Sequence, residues 1–371
     1  MQRSHCGSRT IGRLISVAGR DNARRITARI CAAVIVCVPG LAMISRGAAA
    51  SASVGPKWGY AWADRATAAN YTPNLSYQRQ SNGRHVTIAR SGTGSYVVTF
   101  PGLEGSNGGN IEVSAYETNG WCQVASWDAS TDVTASVLCF APGGVLHDQL
   151  FDILYAVGAG TPAFGYAWDD DASWNGTPSR AYSFDGKGGV ITSQHASTGR
   201  YTLHVPHLAN SNGTVKVTAY GSTPTLCSIS AWTGNDVYVA CNKPSGTATD
   251  ADFDVAIGNG TAGVLGVAGH KTGYAQNYLV STSGPLVGAY QFDSAGGALH
   301  SVHDGTGSYT VTMPHIGEWA GDVQLTVIND TAIHCAVERW RASGTTAQIF
   351  VTCADALGHA NDAPFAVQYV V

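Results

Sequence analysis

One short motif recurs three times along this chain, and its spacing constrains the fold more than any other feature. Ser91-Gly-Thr-Gly-Ser-Tyr96 reappears as Ser197-Thr-Gly-Arg-Tyr201 and as Asp304-Gly-Thr-Gly-Ser-Tyr309, at intervals of about 105 residues. Each copy is a glycine-containing turn that leads into an alternating segment and then a proline, at Pro101, Pro206 and Pro314. Tyr96, Val98 and Phe100 share one face, as do Tyr201, Leu203 and Val205, and Tyr309, Val311 and Met313, with mostly threonine between them. A two-residue period with one apolar face predicts a half-buried antiparallel strand.

A second alternating segment follows in every copy. Its apolar positions are Ile111, Val113 and Ala115, then Val215, Val217 and Ala219, then Val323, Leu325 and Val327. The opposite face is polar, with Glu112 and Ser114, Lys216 and Thr218, and Gln324 and Thr326, and is expected to face outward. Next comes a cysteine, Cys122, Cys227 or Cys335, and five residues later a tryptophan, Trp127, Trp232 or Trp340. The second cysteine of each copy, Cys139, Cys241 or Cys353, lies 14 to 18 residues after the first, which suits a hairpin better than a zinc site. Repetition selects the pairs Cys122–Cys139, Cys227–Cys241 and Cys335–Cys353, each closing a short loop worth about 3 kcal/mol in unfolded-chain entropy.

An aromatic-led strand ends each copy, at Phe151, Phe253 and Phe365. Another strand opens it, at Gly59-Tyr-Ala-Trp62, at Gly165-Tyr-Ala-Trp168 and, degraded, at Gly266-Val-Ala-Gly269. The expected fold class is all-β: three tandem antiparallel β-barrel or β-sandwich domains with one disulfide each. The expected divisions are a leader over 1–52 and repeats over 53–160, 161–262 and 263–371. Short glycine-rich linkers imply that the repeats touch or are stiffly coupled.

The leader is a reading of composition. Arg3, Arg9, Arg13, Arg20, Arg24, Arg25 and Arg29 precede an apolar run, 30–44, followed by small residues at 47–53. That order suits a secretory signal peptide, cleaved between Ala48 and Ser53, and the run is shorter than the roughly 20 residues that span a bilayer. A later start, a twin-arginine signal at Arg24 and Arg25, and an uncleaved anchor are the alternatives. Cys6, Cys31 and Cys37 would leave with the leader. Of 21 basic and 25 acidic residues, the leader holds 8 and 1, so the remainder carries a net charge near −11. Such a surface disfavours nucleic acid as a partner, and no second apolar segment is long enough to span a membrane.

The stretch Gly-Tyr-Ala-Trp62, the motif ending in Tyr96, Phe100-Pro-Gly-Leu103, Ser-Ala-Tyr116, Cys122 to Trp127 and Cys139-Phe140 resembles a repeat of secreted bacterial proteins, especially of actinobacteria, described as hypothetical. The resemblance covers nearly all of the chain after the leader. It implies export and tandem β-domains, and it carries no activity or functional residue.

Candidate chemistry is sparse. No G-x-S-x-G elbow or H-E-x-x-H run occurs after the leader. Asp152 and Asp254 match in two copies, but the third has Ala366, and alternation places both carboxylates opposite the apolar face, in solvent. His204/His207 and His300/His303 have ligand-like spacing, yet residues three apart on a strand point to opposite faces. Asp169, Asp170 and Asp171 form an acidic run without EF-hand spacing, which reads as a solvated turn. No metal or cofactor is expected.

The aromatics remain. In an unbulged strand Trp127, Trp232 and Trp340 face outward beside Tyr116 and Tyr220, a platform for sugar rings or partner surfaces. A β-bulge would instead turn each tryptophan back over the core. The expected function is a secreted, non-enzymatic repeat protein that binds or adheres, to a polysaccharide or a cell-surface protein. The alternatives are a structural cell-surface or matrix spacer and an extracellular hydrolase of unrecognised type.

Overall fold

A computed structural model describes residues 56–103, 108–158, 163–207, 213–260 and 269–371. The leader with its three cysteines, and the expected repeat boundaries near 160 and 262, lie outside the described residues. Alternating Val, Thr, Tyr and Ile segments punctuated by glycine turns produce strands almost throughout. In repeat 1 these are β1 (Lys57–Ala63), β2 (Asn70–Tyr71), β3 (Gln78–Gln80), β4 (Thr87–Gly92), β5 (Ser95–Phe100), β6 (Asn110–Tyr116), β7 (Trp121–Asp128), β8 (Val133–Ala141), β9 (Val145–Leu146) and β10 (Leu150–Val157). They form an inner sheet, β3-β1-β10-β6, and an outer sheet, β2-β4-β5-β8-β7, with β9 paired to β8. The unit is therefore a sandwich, the second of the two architectures expected.

Repeat 2 uses β11 (Phe164–Asp169), β12 (Ser183–Asp185), β13 (Thr192–Ser197), β14 (Arg200–His204), β15 (Gly213–Tyr220), β16 (Leu226–Thr233), β17 (Asp236–Asn242) and β18 (Asp252–Asn259). Repeat 3 uses β19 (Thr272–Asn277), β20 (Gly284–Pro285), β21 (Gln291–Asp293), β22 (His300–Gly305), β23 (Ser308–Met313), β24 (Asp322–Val327), β25 (Ile333–Ser343), β26 (Thr346–Asp355) and β27 (Phe365–Val370). In every copy the first and last strands pair antiparallel: β1 with β10, β11 with β18, β19 with β27. The strand expected at Gly266–Gly269 lies, but for Gly269, outside the described residues, and the first described strand of repeat 3 pairs with β27 as β1 pairs with β10. This strand is β19, where Gly273-Tyr274-Ala275 repeats Gly59-Tyr60-Ala61 and Gln276 stands in the tryptophan's place.

All three disulfides form as the repetition implies, Cys122–Cys139, Cys227–Cys241 and Cys335–Cys353, with Cα atoms 4.0, 4.1 and 4.0 Å apart. Each joins directly opposed residues of the β7–β8 hairpin or its counterpart. The recurring glycine-tyrosine motif is closed by an aspartate that lies far along the chain. Asp148, Asp250 and Asp362 accept the amide of Gly94, Gly199 and Gly307 at 2.7, 2.7 and 2.6 Å. The hydroxyls of Tyr96, Tyr201 and Tyr309 donate to the carbonyls of Ala66, Ala172 and Val280. Gly94, Gly199 and Gly307 all have φ near +64°, and a Cβ there would meet a carbonyl oxygen at 2.6 Å or less, so only glycine fits.

The repeats pack into a ring. Tyr220 of repeat 2 pairs parallel with Val124 of repeat 1, Ile328 of repeat 3 with Ile229 of repeat 2, and Tyr116 of repeat 1 with Val337 of repeat 3. These are the same positions in each copy, so the third contact returns to the first repeat and closes a pseudo-threefold circle. Each seam joins the inner sheet of one repeat to the outer sheet of another. Correspondingly, Tyr220 packs into the core of repeat 1, Ile328 into that of repeat 2, and Tyr116 into that of repeat 3.

Candidate functional site

The ring changes what the polar faces are for. Glu112, Ser114, Lys216, Thr218, Gln324 and Thr326, expected to face solvent, are all at most 5 % exposed. Alternation does turn them away from their own cores, but the inner sheets face one another around the axis. Their hydroxyls form a cyclic set of contacts. Thr218 accepts the Val113 amide at 3.2 Å, Thr326 the Val217 amide at 3.0 Å, and Ser114 the Leu325 amide at 2.8 Å. Strands β6, β15 and β24 are edge strands within their own inner sheets, and these bonds satisfy donors that would otherwise be bare.

The same burial overturns the placement of Asp152 and Asp254 in solvent, since both are fully enclosed. Asp254 sits opposite Asn110 of repeat 1, whose amide donates to it at 3.4 Å. Asp152 lies in the equivalent place against Asp322 of repeat 3, and desolvation, with the neighbouring carboxyl, pushes its pKa well above the ordinary range. Burial raises Asp322 and Asp254 likewise. Ala366 fills the third such place. Around the axis Glu112 is pushed up to about 8 by burial, and burial drives the Lys216 amine well below its usual value. These groups lie enclosed at the contacts between repeats, each at most 2 % exposed.

At the disulfide end of the axis a cavity of about 60 Å³ is bordered by Cys122, Cys227 and Cys335 and by the residues before them, Trp121, Leu226 and His334. That is the volume of a few water molecules. Burial lowers the His334 pKa, and its Nε2 and the Asn119 carbonyl are 2.5 Å apart, which makes Nε2 the protonated nitrogen.

His195, His204, His207 and His303 and the acidic run bond neighbouring chain, and the solvated turn expected for the run is corrected at Asp169, which ends β11 and is buried. His195 and His303 pair with Asp250 and Asp362, the turn-closing aspartates, at 2.8 and 3.0 Å. Arg90 and Asp148 take that place in repeat 1. His204 pairs with Asp236 and His207 with Asp185. Asp169 accepts the Ser193 hydroxyl, Asp170 the Ser179 amide, and Asp171 the Ser173 amide and hydroxyl. Among the described residues no three His, Cys, Asp or Glu side chains converge as a metal site would need. The turn-closing aspartates escaped the sequence reading, although a signal was present: each lies three residues before Phe151, Phe253 or Phe365.

The predicted aromatic residues gather at the seams. A register shift after Val124, Ile229 and Val337 puts a β-bulge in every copy. Trp127, Trp232 and Trp340 thereby come opposite Ala135, Val237 and Ile349, on the core side. The open platform expected of an unbulged strand is therefore corrected: Trp340 and Tyr116 are 8 % and 7 % exposed, and Trp127, Trp232 and Tyr220 are half-buried.

At the seam of repeats 1 and 3, Trp62 sits 5.4 Å from Tyr77 and 5.1 Å from Tyr116, while Tyr77 meets Trp340 at 4.8 Å. At the seam of repeats 2 and 1, Trp168 sits 5.3 Å from Tyr182 and 5.1 Å from Tyr220, while Tyr182 meets Trp127 at 5.0 Å. The seam of repeats 3 and 2 keeps only one such contact, Trp232 to Tyr290 at 5.1 Å, because Gln276 and Ile328 replace the other tryptophan and tyrosine. Compared with known proteins, the chain matches no protein family, no curated protein and no solved structure.

Proposed function

We propose that this chain is an exported, non-enzymatic protein that binds a polysaccharide or a cell-surface partner from a rigid ring of three repeats. One observation carries the reading. The described residues enclose most aromatic rings at seams and in cores, yet Trp174, Tyr278, Tyr290 and Trp319 stand 55 %, 58 %, 36 % and 64 % exposed, all on repeats 2 and 3. Exposed rings are costly to leave in water and are the usual contact groups of binding surfaces. Seams that fix the spacing between repeats would let weak contacts add as avidity. The leader-like first segment, the disulfides and the resemblance to exported tandem repeats support an extracellular setting.

Retention of the chain lacking residues 1–52 on insoluble chitin, cellulose, xylan and intact bacterial cells tests this reading. Retention on at least one surface, reduced when Trp174, Tyr290 and Trp319 are changed to alanine, is expected. Passage through all of them unretained contradicts it. In that case the spacer reading takes over, favoured by a polar axis that serves only to lock the repeats.

A further inference from the structure

We infer that one pocket, present in both repeat 2 and repeat 3 and lined by Phe184 and Asp185 in the first and by Phe292 and Asp293 in the second, holds a single pyranose unit of a carbohydrate. The inference rests on the binding reading above and gives it a place and a ligand class.

Matching positions line the two cavities, of about 200 Å³ in repeat 2 and about 320 Å³ in repeat 3. The phenylalanine and aspartate come from β12 or β21, and the chain beyond supplies a glycine and an aliphatic residue, Gly189 and Ile191 or Gly297 and Leu299. The register fixes the correspondence: Asp185 and Asp293 stand opposite Gly165 and Gly273, as Gln80 stands opposite Gly59 in repeat 1. In repeat 1 Arg79 replaces the phenylalanine and Arg84 the glycine. A Cβ at Gly189 would collide with Asp185 Oδ2, and one at Gly297 would lie 2.9 Å from Asp293 Oδ2. Glycine thus leaves the carboxylate open to the cavity in two repeats, and repeat 1 has neither the carboxylate nor the glycine.

The lining selects the ligand. Asp293 is 7 % exposed; its Oδ1 accepts the Ala295 amide at 2.7 Å, while Oδ2 has no hydrogen-bond partner, with the Gly297 amide and His315 nearby. A buried acceptor left unpaired is costly, and a ligand hydroxyl supplies the donor. Asp185 already meets His207 at 3.1 Å and shares its cavity with Arg180, which disfavours an ammonium ligand. The net negative charge outside the leader disfavours phosphate-bearing rings. A neutral ring with an apolar C–H face and hydroxyl edges fits what remains: phenyl and aliphatic walls, a carboxylate acceptor, and Arg180, Ser183 or Gln291 as donors. Both volumes suit one sugar ring rather than a longer ligand. Two of the exposed rings lie close along the chain, Trp174 shortly before Thr177 of the first cavity and Tyr290 between Gly288 and Gln291 of the second.

Amide NMR of the full chain, titrated with the methyl glycosides of glucose, galactose, mannose and N-acetylglucosamine, tests the two cavities. At least one glycoside should shift the amides of Gly189, Val190, Gly297 and Ala298. The double variant Asp185→Asn, Asp293→Asn should weaken that binding by about tenfold or more, since each cavity loses a carboxylate acceptor. Asparagine keeps Oδ1 for the turn amide, and burial already favours the neutral form of Asp293, so the melting temperature should hold. Val145→Ala, on β9 of repeat 1 and lining neither cavity, should leave binding unchanged. No shift with any glycoside, shifts confined to other residues, or binding untouched in a folded double variant overturns the inference. Should the double variant fail to fold, the shifts of the unaltered chain decide. Retention on a polysaccharide surface that the double variant does not alter overturns the two cavities as the site while leaving the broader binding reading in place.

Discussion

At the scale of single residues, the least expected feature is how much charge-capable chemistry the axis encloses. Four carboxyl groups, Glu112, Asp152, Asp254 and Asp322, and one amine, Lys216, are at most 2 % exposed. A buried charge is tolerated only when paired or neutralised, and burial here favours the neutral form of each. The facing pair Asp152 and Asp322 belongs to the seam that joins the first and last repeats. Around it stand Gln324, whose amide donates to Asp322 at 2.9 Å, the Trp340 indole, and the Tyr60 and Tyr116 phenols.

An acid whose pKa is raised by folding keeps its proton when folded and loses it when unfolded, above about pH 4. The unfolded state therefore binds fewer protons, and stability falls as pH rises from about 4 towards the raised native value. Urea denaturation between pH 4 and pH 9 should show that decline. It should be flatter in the double variant Asp152→Ala, Asp322→Thr, which copies the Ala366 and Thr214 found at the matching places of another seam. An unchanged slope would mean that this pair does not titrate on unfolding.

At the scale of elements, much was legible because each strand had to satisfy its own repeat. The tyrosine-led strand, the cysteine hairpin and the prolines after them follow from alternation and turn chemistry within about 100 residues of chain. The bulge that redirects Trp127, Trp232 and Trp340 was legible only as an alternative, since periodicity cannot reveal one inserted residue. In repeat 3 the described strand β19 carries Gln276 where the other copies have tryptophan, and Gly273-Tyr274-Ala275 alone is too short a signal to find it. Burial makes the seam tryptophans unequal. Trp340→Ala should cost about 3–5 kcal/mol and Trp232→Ala under about 2 kcal/mol, read as shifts in urea midpoint at constant slope. Equal losses would mean that the seam of repeats 2 and 3 is as tightly filled as the others.

At the scale of the whole molecule, the ring itself was not legible. A polar face at Glu112, Lys216 or Gln324 looks the same whether water or another repeat covers it, because the period reports only which side is turned from the strand's own core. Three hydroxyls in matching positions, Ser114, Thr218 and Thr326, become informative only once the repeats are seen to meet. The candidate site shares this limit: the aromatic residues were identifiable, but their role as seam packing depends on contacts between copies.

The closed ring makes a direct demand on three amides. Val113, Val217 and Leu325 lie on strands that end their own inner sheets, and each donates to a hydroxyl of another repeat. Native-state hydrogen exchange at these positions tests the ring most directly. If the three seams are closed together, all three amides exchange only through global unfolding, with one common opening free energy. If the repeats are independent units on short linkers, they exchange as rapidly as other unpaired edge-strand amides, and the closed ring is contradicted.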